Sequence, residues 1–311
     1  MMKTIHVALF LTTFLCSDES VVFSQSLVNE NDRVIFLGDS NTYAGSYISD
    51  VDACFMNLGV NIEFINVGLP SETCCGLSEP DHPFPRPTVQ ERTDRVLEAL
   101  KPNVVFVCYG MNDGIYHPFN KVRFEKYQKG IHELIGKIKK SGAKIVLMTP
   151  PPFDPLPMQK KNKLVGKEGK KFAWFSIYED YDLVMKKYAD WIMTLDSKVD
   201  GLIDIRTPIV DFQNAKRKSN PDFTMSGDGV HFNDQCHRLI ATAIVKTIKP
   251  DAKKILFDDK LVSVASKKMS ILRDAWLTKS KHKRPGIRAG LPIDQANAAV
   301  AKLLLDLKTK Q

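Results

Sequence analysis

The sequence lacks three patterns that would each assign it to a particular class of protein. No internal segment of its 311 residues has the roughly 20 consecutive apolar residues that a membrane-spanning helix needs. It also has no glycine-rich nucleotide-binding loop and no spaced set of zinc ligands. We therefore expect no stable membrane insertion, no bound metal and no cofactor.

A short apolar stretch at the amino terminus has the order of a secretory signal peptide. Lys3 and His6 precede the run VALFLTTFL, and the small Ser24 follows at a suitable cleavage position. The run is shorter than a membrane span. Residues 1–24 are therefore predicted to be a signal peptide, and the protein to be secreted or periplasmic. A buried amino-terminal strand is the alternative.

Cysteine is scarce, and cleavage after residue 24 leaves an odd number of thiols. The five that remain are Cys54, Cys74, Cys75, Cys108 and Cys236. In an exported chain at least one of them has no partner for a disulfide. Cys108 lies in an apolar run and is interpreted as a small core residue.

Positive charge exceeds negative charge, and the excess is concentrated near the carboxyl terminus. The net charge is +8, and residues 251–311 hold 14 Lys or Arg against 6 Asp or Glu. Such a segment can contact nucleic acid, an anionic membrane or acidic glycans, or can simply be a solvated surface. Since we expect export, nucleic acid is not an expected partner. The chain is divided into a core of residues 25–250 and a helical, basic extension of residues 251–311.

Five short apolar runs alternate with amphipathic segments along the core. They are rich in branched residues and cover residues 33–37, 61–67, 103–109, 143–148 and 201–205. Strands that alternate with helices predict an α/β fold with a parallel sheet covered on both faces. Right-handed connections then bring the carboxyl ends of all the strands to one edge of the sheet.

Reactive side chains follow these runs. Ser40 comes directly after the first run, and Asp228 and His231 stand three residues apart after the last. A serine hydroxyl needs an adjacent base, and the base needs an orienting group. Ser40, His231 and Asp228 are therefore predicted to act as nucleophile, base and acid. A helix N-cap is the alternative interpretation of Ser40.

The same edge offers donors for the negative oxygen that forms when a carbonyl is attacked. The predicted donors are the amide of Ser40 at a helix start, the amide of Gly68 and the side chain of Asn112. Singly, Gly68 and Asn112 could be turn residues. Together with the triad, they predict a hydrolase of esters or amides.

The motifs FLGDSNT, GMND and DGVH, together with Gly68, resemble the four sequence blocks of the SGNH (GDSL) hydrolases. The resemblance spans about residues 33–248. It implies a three-layer α/β/α sandwich with a flavodoxin-like sheet, and it implies the same site residues that the chemistry selects. One departure is Asn41, which stands where Ile or Leu is commoner and which affects the expected local packing.

Two long loops on the catalytic edge are predicted to contact substrate. The first carries Phe84 and Arg86, and the second combines Trp174 with six lysines. Aromatic rings could stack on sugars and lysines could meet acidic groups, or the loops could be solvated insertions.

The leading interpretation is an exported serine esterase that removes short acyl groups, chiefly acetyl, from a small-molecule or glycan ester. A lysophospholipase or thioesterase of the same family is the first alternative. A non-catalytic glycan-binding protein with this fold is the second. No oligomeric state is predicted.

Overall fold

The computed structural model describes residues 26–252 and 254–309. The predicted signal peptide, residues 1–24, lies outside the described residues and stays a prediction. Within the two described ranges, no helix is both long enough and apolar enough to cross a membrane.

A five-stranded parallel sheet forms the centre of the molecule. Its strands are β1 Arg33–Gly38, β2 Glu63–Asn66, β3 Val104–Cys108, β4 Lys144–Met148 and β7 Gly201–Ile203. They lie in the order β2-β1-β3-β4-β7, which is the strand order of flavodoxin-like folds with β7 as the fifth strand. Four strands lie within the predicted apolar runs and β1 extends one residue beyond its run, so the predicted α/β fold with a parallel sheet is confirmed.

Helices cover both faces of this sheet, as expected for strands that are apolar on both sides. The α-helices of the described residues are α1 Ser40–Ala44, α2 Ser46–Asn57, α3 Thr93–Leu100, α4 Lys121–Lys140, α5 Leu156–Lys160, α6 Tyr181–Ile192, α7 Arg206–Arg217, α8 Asp234–Ile248, α9 Asp259–Lys279 and α10 Ile293–Lys308. Helices α3, α4 and α6 pack on one face with Ile35 and Val105, whereas α2, α7 and α8 pack on the other with Phe36 and Phe106. Successive side chains of a strand point to opposite faces, so one sheet supplies both cores.

The loop after β4 contains a second, separate sheet. Strands β5, Leu164–Val165, and β6, Ile177–Tyr178, pair in parallel as a two-stranded ribbon. The lysine-rich insertion therefore contains regular backbone structure.

The carboxyl-terminal segment is helical and packs on the catalytic core. Helix α9 lies against α2, and Lys268 makes an ion pair of 3.0 Å with Asp52, whose side chain is 5% exposed. Leu272 of α9 belongs to the core that contains Ile35 and Val105, and Met269 belongs to the core that contains Phe36 and Phe106. Helix α10 packs mainly on α9.

Candidate active site

Strand β1 delivers Ser40 to the carboxyl edge of the sheet. The strand ends at Gly38, where a Cβ would lie 2.0 Å from the Thr42 hydroxyl, so only glycine allows α1 to start this close. Asp39 caps α1 by accepting a hydrogen bond from the Asn41 amide. Because Asp39 is the cap, the Ser40 side chain is free for other contacts and the N-cap interpretation of Ser40 is wrong.

Ser40, His231 and Asp228 form a hydrogen-bonded chain. His231 Nε2 lies 2.9 Å from Ser40 Oγ, and His231 Nδ1 lies 2.7 Å from Asp228 Oδ2. The other oxygen of Asp228 accepts from the backbone amides of Val230 and His231 at 2.9 and 2.8 Å. The tight turn from residue 228 to residue 231 therefore fixes both members of the acid–base pair.

The hydrogen bonds of the triad make the imidazole of His231 more basic. The hydrogen bond with Asp228 raises the pKa of His231 above its ordinary value and outweighs the opposing effect of burial. Burial alone would raise the pKa of Asp228, but the hydrogen bonds from His231 and Val230 hold it well below its usual range. Asp228 is therefore ionised at neutral pH and stabilises the imidazolium that forms when Ser40 loses its proton.

Asn41 connects the nucleophile to the loop of the base. Its Nδ2 donates to the Val230 carbonyl at 2.9 Å, and its Oδ1 accepts from the Phe232 amide at 3.3 Å. The two contacts flank His231. The polar residue that the sequence showed as a departure from the family pattern thus ties α1 to the catalytic loop.

The structure contradicts the predicted donor role of Gly68. Its N–H donates to Asn66 Oδ1 at 2.8 Å, and Gly68 does not line the cavity above Ser40. A Cβ at this position would lie 2.5 Å from the Tyr43 amide nitrogen. Glycine is needed here so that the loop after β2 can pack against α1, and its amide is already used.

Ser71, three residues further along the same loop, occupies the place expected for Gly68. It lines the cavity with Ser40 and has a positive φ of 66°, which is uncommon for a residue with a side chain. Within the described residues, the amides of Ser71 and Ser40 donate to no acceptor. Sequence reasoning missed Ser71 because nothing in its residue type marks this conformation.

Asn112 lines the same cavity and is held by two contacts. Its Nδ2 donates to the Glu72 carbonyl at 3.1 Å, and its Oδ1 accepts from the Tyr116 hydroxyl at 2.9 Å. One N–H of the amide group remains for a ligand. Ser40, Ser71 and Asn112 can therefore supply three donors to a developing negative oxygen.

Buried ion pairs hold the donor loop in place. Glu72 accepts from Arg92 at 2.6 Å and from the Tyr109 hydroxyl at 2.6 Å, and both charged side chains are almost fully buried. The paired charges satisfy each other away from water. Because the Glu72 carbonyl contacts Asn112, this ion pair also positions the donor.

The mouth of the cavity contains the three predicted substrate-contacting residues, Phe84, Arg86 and Trp174. Trp174 is 50% exposed. Arg86 is paired with buried Glu79 and donates to the Ser71 carbonyl at 3.2 Å. Arg86 therefore holds the donor loop instead of presenting a free charge to a ligand.

The lysine-rich insertion does not supply the cations of the cavity. Lys160 pairs with Asp222 at 2.8 Å, and Lys161 donates to the Gly227 carbonyl at 2.7 Å. No lysine is among the described residues that line the cavity. The cavity therefore receives no charge from these lysines, and their contact with a larger acidic glycan stays a prediction.

Arg284, from the segment between α9 and α10, lines the cavity instead. The sequence placed this residue in the basic extension of residues 251–311 and gave it no role in the site. The motif pattern contained no signal for its position, because contact with the site arises from the packing of α9 on α2.

The cysteines are free thiols within the described residues. Cys74 and Cys75 both donate from their backbone amides to the buried carboxylate of Asp113, at 2.9 and 2.8 Å. Cys108 is partly buried and packs against the core cluster that contains Phe36 and Phe106, in agreement with its interpretation as a core residue. These residues support the loop behind Asn112.

The sequence profile of the GDSL-like lipase/acylhydrolase family matches residues 36–239, about two thirds of the chain. The chain belongs to this family. The predicted family and, at the level of the family, the predicted enzyme class of ester-acting serine hydrolases are confirmed. No curated protein sequence matches the chain significantly.

Several solved structures share the fold. A gut microbial diltiazem-metabolizing enzyme, BT4096, is 21% identical with a TM-score of 0.52, and the match covers 71% of this chain and 47% of that enzyme. A catalytic mutant of the acetylxylan esterase Axe2 from Geobacillus stearothermophilus is 18% identical with a TM-score of 0.52, covering 71% and 96%. The acetyl xylan esterase AlAXEase is 23% identical with a TM-score of 0.50, covering 70% and 99%.

Proposed function

We propose that the protein hydrolyses short-chain esters, chiefly acetyl esters, carried by carbohydrate. The observation that carries the proposal is the chain of contacts from Ser40 through His231 to Asp228, at 2.9 and 2.7 Å, at a cavity with unused amide donors. Two of the solved structures that share the fold are named as acetyl xylan esterases, which agrees with this substrate class.

The reaction proceeds in two halves. Ser40 Oγ attacks the carbonyl carbon while His231 Nε2 accepts its proton, and the negative oxygen is bound by the amides of Ser40 and Ser71 and by Asn112. When the tetrahedral intermediate breaks down, the acyl group remains on Ser40 and the alcohol leaves with the proton from His231. Water then attacks the acyl group with His231 again as base, and the carboxylic acid leaves.

The size of the cavity favours a short acyl group. Its volume is about 270 Å³, below the ~300–1,000 Å³ of sites that enclose drug-sized ligands. Ser71, Asn112 and His231 place polar groups near Ser40, and Phe84 and Trp174 add apolar surface to the lining. A lysophospholipase or thioesterase needs a groove that holds a long acyl chain, for which a cavity of this volume is small.

The intact hydrogen-bonded triad favours catalysis over binding alone. A protein that only binds glycans gains nothing from a base held 2.9 Å from a serine hydroxyl. The exposed ring of Trp174 and the ring of Phe84 at the mouth are suited to the sugar on the alcohol side of the ester.

The test compares acyl length and alcohol on the purified protein. We expect kcat/KM for 4-nitrophenyl acetate to exceed that for esters of eight or more carbons by at least about tenfold, and acetate to be released from acetylated oligosaccharides. The Ser40→Ala variant is the control for non-enzymatic release. Comparable rates on long-chain esters would support the lipase alternative, and no release from any acetylated sugar would exclude the carbohydrate substrate.

We also propose export to the periplasm or the exterior, supported by the order of Lys3, the apolar run and Ser24. Mass spectrometry of the protein from its host is expected to show an amino terminus near Gln25. An amino terminus at Met1 would contradict this proposal.

A further inference from the structure

The cavity above Ser40 contains one arginine that has no acidic partner. Arg86 is paired with Glu79, and His231 with Asp228. Arg284, by contrast, makes no ion pair with any described residue, although its side chain is partly buried. Because a charge that is partly withdrawn from water is stabilised by an opposite charge, a bound anion would be favourable at this position.

The guanidinium of Arg284 is nevertheless held in a fixed position. Its Nε donates to the Pro70 carbonyl at 3.1 Å, its Nη1 donates to the Pro285 carbonyl at 2.6 Å, and its Cζ lies 5.2 Å from the centroid of the Phe84 ring. An arginine has five N–H donors. Three of them, including both on Nη2, have no acceptor among the described residues.

The contact with Pro70 places the group beside the reacting centre. Pro70 precedes Ser71, whose amide is one of the proposed oxyanion donors, and both line the cavity with Ser40. The acyl oxygen of a bound ester is held by these donors, so its alcohol part extends toward the mouth. Phe84 and Arg284 are there to receive it.

We propose that Arg284 binds a carboxylate on the alcohol part of the ester, so that the preferred substrate is an acetylated acidic sugar such as a uronate. This inference rests on the proposed function, whose substrate it specifies. The planar fork of guanidinium N–H groups matches the two oxygens of a carboxylate. A single unpaired cation also balances a single negative charge.

The position of Arg284 depends on the carboxyl-terminal extension. Lys283 beside it pairs with Glu91 at 3.1 Å, and Arg95 donates to the Ser280 carbonyl at 2.9 Å, so the segment is fixed on both sides of His282. The extension thus adds a specificity residue to a site whose catalytic residues all lie within residues 25–250.

The first experiment measures binding and does not depend on turnover. Calorimetry compares methyl glucuronoside with methyl glucoside, which differ only at C6, on the wild type, Arg284→Gln, Arg284→Lys and the matched control Arg288→Gln. Arg288 is an exposed arginine of the same segment whose side chain makes no hydrogen bond or ion pair with a described residue. We expect the wild type and Arg288→Gln to bind the uronoside about tenfold more tightly than the glucoside, Arg284→Gln to lose this preference, and Arg284→Lys to keep part of it.

The second experiment measures kcat and KM for the acetylated forms of the same two sugars. Arg284→Gln is expected to raise KM about tenfold for the acetylated uronoside and to leave the acetylated glucoside within about twofold. Equal losses on both sugars would show that Arg284 only supports Phe84 and Pro70, and would overturn the proposal. So would equal binding of both sugars by the wild type.

The two experiments separate this proposal from the proposed function. Arg284-dependent binding of the uronoside without acetate release would retain the carboxylate site and exclude sugar acetates as substrates. Turnover of a lysoglycerophospholipid that depends on Arg284, with no preference for the uronoside, would assign the residue to a phosphate and overturn the carboxylate.

Discussion

At the scale of single residues, His231 carries the chemistry, because its two ring nitrogens contact the nucleophile and the orienting acid. The charge of Asp228 has two effects. It fixes the tautomer that leaves Nε2 free to accept a proton, and it raises the pKa of the ring. A base with a raised pKa is a stronger proton acceptor but is protonated over a wider range of pH.

The pH dependence follows from this shift. His231 must be neutral to accept the proton of Ser40, so kcat/KM for a neutral ester rises with pH as the ring loses its proton. Because the hydrogen bond with Asp228 raises the pKa of His231, the midpoint of the rise is expected above the ordinary value of 6.5. Asp228→Asn removes this stabilisation, so it lowers the midpoint and reduces kcat by on the order of 10³–10⁴. A wild-type midpoint below 6.5, or one unchanged in the variant, would contradict the assignment.

The residues of the triad could be predicted from sequence, whereas one donor could not. Ser40 follows β1, Asp228 and His231 lie in the turn before α8, and all three side chains have unambiguous chemistry. A backbone donor is different, since any residue type has an amide and only the conformation decides whether the amide is free. The sequence favours Gly68 as a donor because glycine has no side chain, but the Gly68 amide donates to Asn66 Oδ1. The Ser71 amide, by contrast, donates to no acceptor within the described residues.

At the scale of elements, the site depends on contacts between loops that are far apart in the sequence. Asn41 on α1 bonds to the backbone on both sides of His231, 189 residues away in the case of Val230. The Arg92–Glu72 ion pair likewise fixes the loop after β2, where the Glu72 carbonyl accepts a hydrogen bond from Asn112. Such contacts keep nucleophile, base and donors in one geometry before substrate binds.

Replacing Asn41 tests the connection between α1 and the catalytic loop. Asn41→Leu restores the residue type that is commoner in the family and removes both hydrogen bonds. Each is worth about 0.5–1.5 kcal/mol, so kcat for 4-nitrophenyl acetate is expected to fall by about tenfold while KM changes little. The melting temperature serves as the control for folding. An unchanged kcat would show that Asn41 has no role in positioning His231.

At the scale of the whole molecule, the described chain forms a sheet with helices on two faces and an extension that joins both cores. The alternation of apolar runs and amphipathic segments predicted the sheet and its helices because local periodicity reflects burial. It also predicted that the extension is helical. It could not predict where α9 packs, because an apolar stripe shows that a helix is covered but not by which surface.

Truncation tests how far the core depends on the extension. Helix α9 buries Leu261, Met269, Leu272, Trp276 and Leu277, and each such side chain contributes about 1.5–3 kcal/mol. Their sum is comparable to the ~5–15 kcal/mol stability of a typical domain. A chain that ends at residue 257 is therefore expected to show no cooperative thermal unfolding by circular dichroism.

A chain that ends at residue 291 is the matched control. It lacks only α10, whose buried residues are Ala296 and Val300, so it is expected to unfold cooperatively at a lower temperature. If the chain that ends at residue 257 melted at the wild-type temperature, the stability of the core would not depend on α9.

The nucleophilic role of Ser40 is tested most directly by covalent labelling. A fluorophosphonate reacts with an activated serine hydroxyl, and peptide mass spectrometry locates the adduct. We expect one adduct, on Ser40, in the wild type and in Ser71→Ala, which removes the other serine hydroxyl that lines the cavity, and no adduct in Ser40→Ala. An adduct on Ser71, or labelling that persists in Ser40→Ala, would contradict the assignment of Ser40 as the nucleophile.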